Sequence, residues 1–258
     1  MTLLVGVLCE DGVVLGADSA ATMGSGGMPT VRQPVAKIRA ISNDALIAVS
    51  GPVGLGQRLA GELEQILSES RIPSSMKAHK ATQLLRQSFM PYIAGELEAA
   101  RIAAPVVGAQ VAQASALSST LLAIHLDGRI RLVQFDQQGA PEEATVDLPF
   151  VCLGSGQLLA DPFMTFLRGV FWDKGRLPSL AEATFATVWT LTQAIDVSPA
   201  YLAEPIHVFT LTQESTLRVA RELEPSELQE HRQAASEARA VLRSWRRVDN
   251  LVPPPPDP

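Results

Sequence analysis

Cysteine is almost missing: two thiols, Cys9 and Cys152, serve 258 residues. That excludes the disulfide framework of small secreted domains. Both cysteines lie inside apolar runs, where they read as small buried hydrophobes rather than ligands. Histidine is scarce as well. His79, His125, His207 and His231 stand far apart and show no pairing at metal-ligand spacing, so the sequence calls for neither a metal nor another cofactor. Basic charge does not prevail: 21 Lys and Arg against 27 Asp and Glu leave a formal net charge of -6, which argues against a nucleic-acid partner. No apolar run is long enough to span a bilayer. The first such run, Leu3 to Cys9, follows no basic residue and is cut by Glu10 and Asp11, so no membrane attachment or signal peptide is expected. The expectation is a cytoplasmic, soluble protein. Phosphate-binding loops are missing too, since there is no Walker pattern and no GxGxxG after a strand. Gly154-Ser155-Gly156 is not a serine-hydrolase elbow, because Leu153 occupies the position two before the serine.

What remains is a chain with 47% hydrophobic residues and 19% charged ones, ample for a large core. Leu3 to Cys9 and Val13 to Ala17 flank Asp11-Gly12, a strong hairpin signal. Ser19 to Thr30, rich in Gly, Ser and Met, reads as a flexible loop. Val35 to Ile41 and Ala45 to Val49 make a second hairpin. Apolar residues then recur at helical spacing, predicting helices over Gly54 to Ser68 and Met76 to Arg101. The uncharged stretch Ala103 to Ala116 reads as an irregular connector. Ser118 to Leu126 and Ile130 to Phe135 form a third hairpin around Asp127-Gly128, and Phe150 to Leu153 a short strand. Helices follow from Gly156 through Leu167 and from Leu180 to Ile195. Ile206 to Leu211 and Ser215 to Val219 supply a last strand pair. Ser226-Glu227-Leu228-Gln229 has the capping-box pattern, predicting a terminal helix to about Arg247. Pro253 to Pro256 ends regular structure. Hairpins alternating with helix pairs predict an α+β fold: two antiparallel sheets face to face between two helix layers, a four-layer αββα sandwich.

One chemical feature stands out. If Met1 is removed, Thr2 carries a hydroxyl nucleophile and a free α-amine that can act as its base. A Met-Thr start alone is common and proves nothing. The surrounding sequence adds Thr2-Leu3-Leu4-Val5-Gly6-Val7, then Asp11-Gly12-Val13-Val14-Leu15-Gly16-Ala17-Asp18-Ser19-Ala20-Ala21-Thr22. Val35-Ala36-Lys37-Ile38, Ala48-Val49-Ser50-Gly51, Gly154-Ser155-Gly156 and Ala194-Ile195-Asp196 follow. As a set, from Thr2 to about Leu211, these segments resemble the proteasome family of N-terminal-nucleophile hydrolases, in particular its bacterial single-subunit ring peptidases.

That resemblance implies the αββα fold of these hydrolases over residues 1–223, with a helix and Pro-rich tail over 224–258. It implies Thr2 as nucleophile, Lys37 beside its hydroxyl and Asp18 as the partner of Lys37. Gly51 would offer a backbone N–H to the oxyanion, and Ser155 and Asp196 would position the Thr2 amine. Thr22 and the Gly51 segment would bind an extended peptide. Ala21, Val35, Val49 and Val53 would flank the specificity pocket, and their small or apolar side chains predict an uncharged side chain there, although Arg39 nearby counts against it. Two positions depart from the family pattern. Ala20 stands where many subunits have arginine, and Pro199 replaces the serine usual three residues after Asp196.

The resemblance further implies self-association into stacked homo-oligomeric rings, peptide substrates and an unfoldase that the sequence does not identify. Two other readings stay open. One is an N-terminal-nucleophile amidase acting on a small-molecule amide, and the other is a non-catalytic ring scaffold.

Overall fold

The opening apolar run folds back on itself as β1 (Leu4–Leu8) and β2 (Gly12–Ala17), paired antiparallel with Leu4 opposite Ala17. Every residue of β2 is buried, which its unbroken run of small and aliphatic side chains requires. The computed structural model describes residues 2–25, 28–73, 75–173, 175–214 and 217–244; the side chains of Thr22–Ser25, Met28–Arg32, Ala114 and Glu214 lie outside the description.

Next comes a difference from expectation. Ser19 to Thr30 is mostly a two-stranded ribbon, β3 (Ala20–Ser25) and β4 (Met28–Pro34), with a register shift between Met23 and Gly24. Its Gly- and Ser-rich composition carries little strand propensity, so pairing rather than side-chain pattern defines it. The second hairpin is β5 (Ile38–Ile41) and β6 (Ala45–Ser50). Val35, Ala36 and Lys37 precede β5; the Val35 N–H donates to the Ser19 carbonyl at 2.9 Å, which keeps this segment beside Asp18.

α1 (Val53–Ser68) and α2 (Ala78–Val107) follow, the latter with Pro91 and Pro105 inside it. The stretch Ala103 to Ala116 is helical, not irregular: α2 runs on to Val107, the chain breaks at Gly108, and α3 (Ala109–Ala116) begins. Alanine and glutamine are good helix formers; with no charged face, the segment lacked the amphipathic signal that marks a helix in sequence. The third hairpin is β7 (Ser119–Leu126) and β8 (Arg129–Phe135), to which an unanticipated short β9 (Pro141–Glu143) adds. Then come β10 (Phe150–Leu153), α4 (Gln157–Phe171), α5 (Leu180–Val197), β11 (His207–Glu214), β12 (Leu217–Glu222) and α6 (Pro225–Ser244).

Helix α6 starts one residue before the expected cap, with proline in its first position. Glu227 reaches back to accept the Glu224 N–H at 2.8 Å, so the cap is built around Glu224 rather than Ser226. Arg247 and the Pro253 to Pro256 run lie outside the described residues.

The strands form two five-stranded antiparallel sheets, ordered β10-β1-β2-β11-β12 and β5-β6-β7-β8-β9. Leu4, Leu15, Leu46, Leu121 and Leu132 fill the layer between them. α1 and α2 cover the second sheet, where Leu59, Leu63 and Phe89 meet Ile47 and Leu122. α4 and α5 cover the first, packing Met164, Trp189 and Leu191 on Val5, Val7 and Val14. α6 joins that layer through Ala235. The αββα sandwich is the observed architecture. Burying each leucine contributes roughly 1.5–3 kcal/mol, so the inter-sheet layer locks β1 against β6. Those strands begin beside Thr2 and end beside Gly51.

Both cysteines are buried and unpaired, and burial pushes their thiols well above the usual range. Among the described residues no group of His, Cys, Asp and Glu could hold a metal ion, and no helix is long and apolar enough to cross a membrane.

Candidate active site

Asp18 is wholly buried just beyond the end of β2, and its carboxylate ties four segments together. Oδ1 accepts the Leu3 N–H at 2.8 Å and the Lys37 ammonium at 2.6 Å. Oδ2 accepts the Ala20 N–H at 2.9 Å and, more loosely, the Ala203 N–H at 3.4 Å. The Asp18 N–H in turn donates to the Leu3 carbonyl at 3.2 Å. Lys37 is nearly as hidden, its side chain 7% exposed. An ammonium this deep needs an anionic partner, and Asp18 supplies it.

Thr2 is held by the turn after β10. Its nitrogen lies 3.2 Å from Ser155 Oγ, and its carbonyl accepts the Gly156 N–H at 3.1 Å. Gly154 makes this docking possible. It has φ +92°, and a Cβ there would lie 2.3 Å from the Thr2 carbonyl oxygen, a distance no side chain tolerates. Gly51, one residue past β6, is restricted similarly: φ is +133° and a Cβ would meet the Leu117 carbonyl at 2.7 Å. Both glycines are therefore demanded by backbone geometry.

Thr2, Lys37 and Gly51 line one cavity of about 810 Å³ between the β5–β6 face and α1. Ala21, Val35, Val49 and Val53 line it too. The side chain of Thr22 lies outside the described residues, while its backbone pairs with Arg32 in the ribbon. Ser155 is at Thr2 through the contact just given. Asp196 goes elsewhere: it is 57% exposed, and its carboxylate is 3.7 Å from Arg239 of α6. In the described contacts Asp196 is thus paired with the terminal helix and not brought to Thr2.

Several contributors were not visible in the sequence. The amide of Ala203 comes from far along the chain and leaves no side-chain signature. Ser115 lines the cavity from α3, a segment whose composition suggested only a connector. Arg39, noted in the sequence only as a neighbour of the pocket residues, lines it as well.

Residues 2–103 match the family model described as proteasome subunit. The chain resembles proteasome subunits, of the bacterial-homologue type. Its fold is close to Anbu (ancestral beta-subunit) from Yersinia bercovieri, with a TM-score of 0.69, 14% identity, and 94% of this chain and 97% of that one covered. The helical assembly of the Anbu complex from Pseudomonas aeruginosa gives 0.68 at 16% identity, covering 99% and 98%. Anbu from Hyphomicrobium sp. strain MC1 gives 0.64 at 14%, covering 94% and 97%. No curated protein matches the chain in sequence. The proteasome-like sequence match stops before α3, and beyond it the likeness is one of fold.

Proposed function

We propose that this protein is a threonine endopeptidase whose nucleophile is Thr2, exposed as residue one by removal of Met1. The observation that carries the reading is the buried Asp18–Lys37 pair, anchored on the Leu3 amide just before β1 and opening into the cavity that Thr2 lines. A cation fixed there lowers the cost of forming an alkoxide. Thr2 Oγ1 attacks the peptide carbonyl carbon while the α-amine takes its proton. The oxyanion is met by the Gly51 N–H. Collapse breaks the C–N bond, the leaving amine receives the proton, and an ester on Thr2 remains. Water, deprotonated by the same amine, cleaves the ester and regenerates the hydroxyl. Ser155 steadies the amine, and Ala21, Val35, Val49, Val53 and the Thr22 strand receive the substrate as an added strand.

Self-association belongs to the same reading. The Pseudomonas relative is described as a helical assembly, which supports repeated subunit contacts in this protein; an assembly of stacked rings would require those contacts to close. The reduced cysteines fit a cytoplasmic setting. A scaffold reading draws its one specific support from Asp196, which pairs with Arg239.

Labelling with a peptide epoxyketone decides between them, because the adduct needs both the hydroxyl and the free amine of one terminal residue. The expected result is an adduct on Thr2 that is lost in Thr2→Ala. Met1 retained in protein from its native host, or no adduct on assembled protein lacking Met1, would leave the scaffold reading in place.

A further inference from the structure

The cavity beside Thr2 carries a positive charge that nothing in it offsets. Arg39 sits on β5 opposite Ile47 of β6 and lines the cavity with Val35, Val49 and Ala60. Strand alternation explains its direction. Ile38 packs into the layer between the sheets, whereas Ile41 packs with α1 and α2. Arg39 shares the face of Ile41, which is the α1 side where the cavity opens. No lining residue is Asp or Glu. Among the described residues Arg39 takes part in none of the ion pairs. The cavity's other cation, Lys37, is already matched by Asp18.

We propose that Arg39 sets the specificity of this cavity and selects a carboxylate side chain, glutamate before aspartate, on the residue whose carbonyl Thr2 attacks. The proposal rests on the threonine-peptidase reading. A guanidinium grips a carboxylate through two parallel N–H···O bonds. The aliphatic walls Val35, Val49 and Ala60 suit the methylene stem of glutamate, which is long enough to carry its charge past them. A neutral side chain of the same shape leaves the guanidinium unmatched, and a basic one is repelled by it. The walls Ala21, Val35, Val49 and Val53 by themselves suit an uncharged side chain; Arg39, which counted against that expectation in the sequence, lines the same cavity and reverses it.

The test uses the full-length, assembled protein after intact mass has verified loss of Met1. Four capped fluorogenic peptides are compared that differ only in Glu, Gln, Leu or Arg at the cleaved position. kcat/KM for Glu should exceed that for Gln by about tenfold or more, as expected when a charged hydrogen bond is at stake. The ratio should shrink as ionic strength rises. Arg39→Gln should bring the Glu-to-Gln ratio close to unity, and Arg39→Lys should retain part of it, in variants whose melting and assembly match the parent. A parent ratio at or below unity, or a ratio unchanged in Arg39→Gln, overturns the proposal. Failure of the peptidase reading looks different: no peptide is cleaved and no epoxyketone adduct forms. Fluorescence anisotropy with labelled Glu and Gln peptides then reads the same residue without turnover. Tighter binding of the Glu peptide that disappears in Arg39→Gln supports the proposal, and equal binding of the two sinks it.

Discussion

Asp18 and Lys37 form a pair, yet their removal should have unequal consequences. Without Lys37, the Asp18 carboxylate still accepts the Leu3, Ala20 and Ala203 amides, so the fold keeps its hub. Lys37→Ala is expected to abolish peptide turnover while the protein still assembles; near-normal turnover would show that Lys37 is misassigned. Without Asp18, a buried ammonium and several amides lose their acceptor together. Asp18→Ala should therefore cost about 3–5 kcal/mol of stability, the range for breaking a buried ion pair, measured by denaturant unfolding. At this scale much of the candidate site was legible, since Thr2, Asp18, Lys37, Gly51 and Ser155, which the fold places near one another, carry recognisable residue types in recognisable segments. The Ala203 amide was not legible, because a backbone donor has no residue-type signal. Arg39 was noticed only as a neighbour in sequence, since its freedom from any carboxylate is a property of the folded chain.

Elements with strong periodicity were readable and those without it were not. Asp11-Gly12 and Asp127-Gly128 marked hairpins by turn chemistry, and Leu59, Leu63 and Phe89 marked helices by spacing. The β3–β4 ribbon and α3 lacked both signals, yet the ribbon carries Ala21 and α3 carries Ser115, both at the cavity. The turn after β10 gives a prediction at this level. Gly154→Ala forces a Cβ against the Thr2 carbonyl, so Thr2 must shift away from Ser155; turnover should fall at least tenfold, as misplacing a reacting group by about 1 Å can do, while β10 and α4 stay folded by circular dichroism. Helix α6 gives another. Glu227 is held down to about 2 by Arg221 and by the Glu224 N–H, from an ordinary value of 4.5. A depressed carboxylate stabilises the fold above its unfolded pKa, and that stabilisation is lost as pH falls through the folded one. Exchange protection along α6, taken relative to the intrinsic amide rate at each pH, should fall as pH drops from about 4.5 to 2, modestly because the pair is partly exposed. Glu227→Gln should remove that part of the pH dependence, and an unchanged profile would assign it to other carboxylates.

At the scale of the molecule, the four layers leave apolar helix surface exposed among the described residues, and α4 carries a continuous stretch of it. Leu159, Phe166 and Val170 of α4 fall in one stripe at helical spacing, and they are 37%, 49% and 57% exposed. Phe166 also stacks with Phe163 at 6.2 Å between ring centres, which fixes its ring outside the core. An exposed aromatic in an apolar stripe is the kind of anchor that dominates subunit contacts. The proposed self-association therefore has a definite place to be tested. Phe166→Glu leaves the buried residues Met164 and Leu167 untouched, so the subunit should fold normally. If α4 meets another copy, the variant should lose on the order of 2 kcal/mol or more of association, seen in sedimentation velocity as a shift to smaller species at equal concentration. Because assembly stabilises the folded subunit by mass action, the parent's melting temperature should rise with concentration and that of Phe166→Glu should not. An unaltered size distribution would move the contact to another face and leave the exposed stripe of α4 without this role.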